Sequence, residues 1–281
     1  MNGILALDID GTLVSHHRPL SLNLISYLTS LHHEGWHVLF ATGRTVKWSM
    51  EHLSALPFPF FLAPYNGACL FSFPQRELLA SSFMDYDDVC RLSHLIAQFG
   101  AVVYEAGGEE RIFYTADAFS PPILEHLRHR QECQKEQWTF IDSIKSIPRI
   151  PIAGVRFFLS SETAQLVSHT ISTTTHFRAP IMKDSYHESL KVVLVTAPQA
   201  SKGQALHWLR SKVPPGFTIA AGDDMNDLDL IKEADCGIAM ASAPDDLKKI
   251  STLVAPSIGE DPIIDALQQA IGIAIRRIGS Q

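Results

Sequence analysis

The sequence predicts an α/β fold: a doubly wound parallel sheet interrupted by an inserted α+β domain. Three observations predict it. Apolar strand-like runs alternate with helical patterns over residues 1–81 and again over 187–281, the pattern of βαβ units around a parallel sheet. Residues 82–186 depart from that alternation, with polar helical stretches such as LEHLRHRQECQKEQ and alternating strands such as Val155 to Leu159. Several runs in the outer segments end in polar residues able to do chemistry, and the carboxyl ends of such strands are where open α/β sheets bind ligands. The expected division is therefore a core of 1–81 and 187–281, with 82–186 inserted.

The elements follow in order. Ile4 to Leu7 is a buried strand. Leu20 to His33 is a helix, with Ser21 as N-cap, Leu24, Ile25, Leu28 and Leu31 at helical spacing, and Gly35 at its end. His37 to Ala41 is the second strand. Thr45 to Leu56 reads as a helix stopped by Pro57. Short strands, Phe60 to Leu62 and Ala68 to Phe71, flank Asn66-Gly67. After the insertion come a helix from Ser201 to Val213, a strand Thr218 to Ala221, a helix Asp227 to Ala234, a strand Gly237 to Met240 and a closing helix Pro262 to Arg277.

Composition narrows the possible partners. The chain has 281 residues, 46% hydrophobic and 19% charged, which suits a soluble globular protein. A net charge of −7 with no basic block argues against nucleic acid as the partner. No run reaches the roughly 18 to 20 apolar residues of a membrane span, and Asp8 and Asp10 break any apolar leader. Cys69, Cys90, Cys133 and Cys236 are scattered, with no CxxC pair. A reducing, cytoplasmic setting is expected, without disulfides or structural zinc. Oligomeric state is left open between monomer and homodimer.

Four strand or helix ends carry chemistry. The first strand leads into Asp8-Ile9-Asp10-Gly11-Thr12. A side-chain period of two puts both carboxylates on one side if the extended geometry continues, where like charges call for a cation or a shared proton. Oxygen ligands favour Mg2+. The second strand ends in Thr42-Gly43-Arg44, a hydroxyl and a glycine suited to a phosphate oxygen. TIAA ends in Gly222-Asp223-Asp224-Met225-Asn226-Asp227, more acid than an N-cap needs. Ser201-Lys202-Gly203 places a lysine in the first turn of a helix, against the macrodipole, so phosphate or carboxylates must offset it. Each motif alone has an ordinary reading as a turn, a cap or a surface lysine. Together they supply a nucleophile, a second carboxyl, a metal site, a hydroxyl and a lysine, a set suited to phosphoryl transfer through an aspartyl phosphate.

The sequence resembles the haloacid dehalogenase-like phosphatases, in particular the Cof-type subgroup with an inserted C2-type (type IIB) cap. DIDGTL, ATGR, SKG and GDDMNDLDL match the four family motifs in order, and NGA and GIAM match the subgroup. The resemblance implies a Rossmannoid core and Mg2+-dependent hydrolysis of a small phosphorylated metabolite, of the sugar phosphate, nucleotide or pyridoxal phosphate class. It implies Asp8 as nucleophile and Asp10 as acid and base. Asp8, Asp223 and the Asp10 carbonyl would be metal ligands. Thr42 and Lys202 would hold the phosphoryl group, Asn226 and Asp227 would support them, and Gly43 and Asn66 would line the pocket. Arg44 is left between substrate contact and loop brace. Phosphomutase activity on sugar phosphates is the alternative, and a non-catalytic metabolite-binding protein a more distant one. Leu194 and Ser242 stand where relatives often carry an acidic residue and Asn.

The thirteen histidines offer no comparable pattern. His16-His17 and His32-His33 fall in a loop and at a helix end. His126 and His129, at i,i+3 in a polar helix, read as solvated surface. Asp245-Asp246-Leu247-Lys248-Lys249 after Pro244 is a helix start with acids before bases. Arg178, Lys183, Tyr186 and His187 read as surface or hinge residues near the return to the core.

Overall fold

The computed structural model describes residues 3–14, 19–96, 99–105, 111–115, 119–134, 136–184, 187, 189–257 and 261–278. His16, His17 and Tyr186 lie outside them. The chain divides into two compact units. The first comprises Met1–Arg44, Ser49–Ala80 and Ser201–Gln281; the second comprises Thr45–Trp48 and Ser81–Ala200.

The first part of the chain runs β1 (Gly3–Leu7), α1 (Leu22–His33), β2 (Trp36–Ala41), α2 (Val46–Leu53), β3 (Phe60–Ala63), β4 (Cys69–Phe73) and β5 (Glu77–Ser81). The second unit continues with α3 (Tyr86–Ile96), β6 (Val102–Glu105), β7 (Ile112–Tyr114), α4 (Pro121–Gln134), β8 (Trp138–Phe140), β9 (Ile152–Leu159), α5 (Ser161–Thr174), β10 (Ile181–Lys183) and β11 (Lys191–Val195). The chain then forms α6 (Lys202–Arg210), β12 (Phe217–Gly222), α7 (Leu228–Glu233), β13 (Cys236–Ala239), α8 (Asp245–Ile250), β14 (Leu253–Val254) and α9 (Pro262–Ile278).

The first unit is built on an eight-stranded sheet of order β14-β13-β12-β1-β2-β3-β4-β5. β1 pairs in parallel with β2 on one side and with β12 on the other. The strand order therefore reverses at β1, and Asp8, just past its end, stands at the switch point where such sheets bind ligands. All five β1 residues are buried, as expected of a parallel strand covered on both faces. On one face small residues such as Ala6, Ala41, Ala220 and Ala239 pack with Leu206 and Leu209 of α6 and Leu230 and Ile231 of α7. Helix α1 buries Leu24, Leu28 and Leu31, each worth about 1.5–3 kcal/mol. Its N-cap is Ser21, whose Oγ accepts from Leu24 N at 3.0 Å and donates to Asp261 at 2.7 Å.

Three details differ from the sequence reading. The sheet is not wholly parallel, because β4 turns back antiparallel to β3 after the Tyr65–Gly67 turn, where Tyr65, Asn66 and Gly67 all have positive φ. The segment LKVVLV does not return to the core at 187. β11 pairs antiparallel with β9 and β10, so the second unit extends to Ala200. Leu194 is fully buried there. Helix α2 begins one residue later than read, because Thr45 caps it, its Oγ1 accepting from Trp48 N at 3.1 Å.

The second unit has a six-stranded sheet of order β10-β11-β9-β6-β7-β8, antiparallel except for the β7–β8 pair. On α4, His129 is exposed as read, but His126 is not solvated. It is buried against the Phe158 ring, with Nε2 3.3 Å from Asp184. Arg130, one turn on, donates to the same carboxylate at 2.8 Å. A helix polar in composition thus buries one polar stripe, because Asp184 comes from far along the chain to pair with it.

Candidate active site

The ends of β1, β2 and β12 and the start of α6 bring the sequence motifs together within the first unit. Asp8 leaves β1 with its amide still donating to Ala221 O at 3.0 Å, which holds the two strand ends in register. The chain then turns. Leu13 N and Val14 N donate to Ile9 O, and Gly11 N to Val14 O. Gly11 has φ +78, and a Cβ there would run into the Asp223 carboxylate. Glycine is therefore needed for backbone hand and for close approach alike.

Lys202 is the centre of the charge cluster. It is 1% exposed. Its Nζ donates to Asp8 Oδ1 at 2.5 Å and to Asp227 Oδ1 at 2.6 Å. These carboxylates are what offset a lysine in the first turn of α6. Burial works against the ammonium, but Asp227 and Asp8 outweigh it and hold the pKa above the ordinary lysine range. Burial pushes the Asp8 carboxyl well above its usual range; Lys202 pulls against this, and Asp227, Asp223 and Asp10 push the same way as burial. Asp227 spends its other oxygen on the loop, accepting from Asp223 N and Asp224 N at 3.1 Å each. Asp224 caps the turn by accepting from Met225 N at 2.8 Å.

Asp10 has a different neighbour. Arg44 donates to both of its oxygens, Nε to Oδ2 at 2.7 Å and Nη2 to Oδ1 at 2.5 Å. Burial pushes Asp10 up, but the hydrogen bonds and charge of Arg44 outweigh it and hold the carboxyl below the usual range. His52 of α2 adds to that pull. Sequence reading missed His52, and no local signal points to it, because it and Asp10 are far apart in the chain.

Thr42 is fully buried. Its amide donates to Ala63 O at 2.9 Å, and its Oγ1 accepts from Arg44 N at 3.1 Å, so the hydroxyl proton is not used in that bond. Asn66, at φ 57, donates from its backbone to Thr42 O at 2.8 Å and accepts through Oδ1 from Asn226 Nδ2 at 3.1 Å. The motif asparagines therefore hold each other, a pairing their separation in sequence concealed. Gly43 lies between Thr42 and Arg44 in this loop.

Asp8, Asp223 and Asp227 present carboxylate oxygens within 4.8 Å of one another, the one such group of potential metal ligands among the described residues. Two carboxylates bond the lysine and a third, Asp223, lies within 4.8 Å of them, which leaves negative charge in excess. Asp8 Oδ2 is buried without a hydrogen-bond partner, a costly state for a carboxylate oxygen. Hard oxygen donors with surplus negative charge fit a divalent cation. Asp227 is committed to Lys202 and the loop amides, which leaves Asp8 and Asp223 as the better carboxylate ligands. The histidines contribute no such cluster among the described residues.

The profile of the haloacid dehalogenase-like hydrolases matches residues 5–267. The putative phosphatase YxeH of Bacillus subtilis (strain 168) is 22% identical over 288 residues, covering 96% of this chain and 99% of YxeH. The pyridoxal phosphate phosphatase YbhA of Escherichia coli (strain K12) is 23% identical over 290 residues, covering 95% of this chain and 97% of YbhA. The fold is similar to that of BT4131, a sugar phosphatase of subclass IIB of that superfamily, with a TM-score of 0.73 and 20% identity over 95% of this chain and 98% of that one.

Proposed function

The chain belongs to the haloacid dehalogenase-like hydrolases, and from that premise we propose that it is a Mg2+-dependent phosphatase of small phosphorylated metabolites working through an aspartyl phosphate on Asp8. The observation that carries the reading is the buried Asp8 itself. One oxygen is held by Lys202, the other has no partner, and Asp10 stands two residues away.

Asp8 attacks phosphorus, forming a new P–O bond as the bond to the leaving oxygen breaks. Asp10, which must carry a proton in the reacting complex, gives it to that oxygen. Asp10 then takes a proton from water as the water attacks the aspartyl phosphate. The Asp8–phosphorus bond breaks, and Asp8 and inorganic phosphate are released. Thr42 offers its hydroxyl proton and Lys202 its charge to the phosphoryl oxygens, so that positioning and charge neutralisation supply most of the catalysis. Gly43 leaves the loop open to substrate, and Asn66 and Asn226 brace it. Asp227 orients Lys202. A Mg2+ held by Asp8, Asp223 and the Asp10 carbonyl would supply charge neutralisation to the phosphoryl group.

YbhA by its name acts on pyridoxal phosphate and BT4131 on a sugar phosphate, and these classes, with nucleotides, form the first substrate panel. The test is phosphate release from that panel by wild type and Asp8→Asn, with Mg2+ or EDTA. Release that needs the metal and disappears in Asp8→Asn is expected. Release that survives Asp8→Asn would refute the aspartyl phosphate.

A further inference from the structure

Arg44 is 1% exposed, while the Asp10 side chain it grips is 39% exposed. Its backbone is fixed from both sides: Arg44 N donates to Thr42 Oγ1 at 3.1 Å, and Arg44 O accepts from Tyr65 N at 2.9 Å. From that base the guanidinium places Nε on Asp10 Oδ2 and Nη2 on Asp10 Oδ1. A fork-to-fork pair of this kind sets the plane of the carboxylate as well as its place. Asp10 needs such help, because it sits on a turn with a solvent-reaching side chain that would otherwise sample several rotamers. Each carboxylate oxygen has a second lone pair beyond the one Arg44 uses, so proton exchange with a leaving oxygen or a water is still open to it. Two of the five guanidinium N–H groups are spent on Asp10, and the side chain that carries the rest is 1% exposed, a poor position from which to meet an incoming phosphate.

We propose that Arg44 is a positioning residue for Asp10 and not a ligand of the substrate. It holds in place the carboxylate that protonates the leaving oxygen and then deprotonates water. The inference rests on the phosphatase reading of Asp8 and Asp10 given above.

The test compares wild type, Arg44→Gln, Asp10→Asn and the double variant. It uses an alkyl phosphate that the wild type turns over, p-nitrophenyl phosphate, and inorganic phosphate as competitive inhibitor. A positioned acid–base group contributes about 10²–10⁴-fold, so kcat for the alkyl phosphate is expected to fall about 10²-fold in Arg44→Gln. KM and the inhibition constant of phosphate are expected to stay within about threefold, the pattern of an interaction made in the transition state alone. First-turnover release of p-nitrophenolate, which needs little protonation, should fall far less than alkyl phosphate turnover. Acting through Asp10, Arg44→Gln should change the residual rate of Asp10→Asn by less than about twofold. A rise in KM and in the phosphate inhibition constant with kcat preserved would overturn the proposal, as would a full additive loss in the double variant. Should Arg44→Gln fail to fold in a thermal melt, Arg44→Lys keeps the charge but not the fork and is judged by the same readouts. A wild type as inert as Asp8→Asn toward every ester would instead overturn the phosphatase reading, and this inference with it.

Discussion

Lys202 bridges Asp8 and Asp227 inside the protein, and that geometry makes its removal costly. Taking one partner from a buried ion cluster leaves the others as uncompensated charges, at about 3–5 kcal/mol. Lys202→Met is expected to lose stability on that scale in urea unfolding without added metal, and phosphatase activity with it. A variant as stable as wild type would show that Asp8 and Asp227 do not depend on the ammonium. Asp8, Asp10, Thr42, Lys202 and Asp223 are legible in the sequence as candidates, because each stands at the end of a strand or the start of a helix where polar residues need a reason. Their partners were less legible. The sequence leaves Arg44 between substrate contact and loop brace, and only the structure shows its side chain on Asp10; His126 reads as surface because Phe158 and Asp184, which it meets, are distant in sequence.

At the scale of elements, the start of α6 decides where Lys202 points. Ser201 caps the helix, its Oγ accepting from Gln204 N at 3.1 Å. The turn at Gly67 packs against the Ser201 carbonyl so closely that a Cβ on Gly67, already at φ +85, would collide with it. Gly67→Ala therefore pays for a left-handed backbone and a backbone clash together, each of order 1–2 kcal/mol or more. The expected outcome is a loss of at least about 2 kcal/mol in denaturant unfolding together with reduced turnover, since the displaced element carries Lys202. A variant with wild-type stability and rate would show that the turn yields easily. Helix α1 illustrates the opposite case. Its cap, its spacing of buried leucines and its ending at Gly35 are all local, so sequence and structure agree there. β11 illustrates a third: KVVLV is assigned no element from sequence, and its pairing with β9 makes it a strand of the second sheet.

For the molecule as a whole, the excess of carboxylates in the first unit predicts linkage between metal and stability. A cation that binds the folded chain and not the unfolded one stabilises it by about 2.7 kcal/mol at one hundred times its Kd. Mg2+ should therefore raise the melting temperature of wild type, and much less that of Asp223→Ala, in a thermal shift read without any substrate. Equal shifts in both proteins would remove Asp223 from the metal site. No helix among the described residues is long and apolar enough to cross a membrane.

The sequence by itself determined the α/β class and most of the elements, and it marked the polar residues at the strand ends as candidates. These follow from periodicity, caps and turns, which act over a few neighbouring residues. Only the tertiary structure decided that β11 belongs to the second sheet, that β4 runs antiparallel, that Asp227 serves Lys202 and the loop amides, and that Arg44 grips Asp10. Those outcomes depend on pairings between residues far apart in the chain, set by competition among many compatible strands and charges, and local pattern carries no record of which pairing wins.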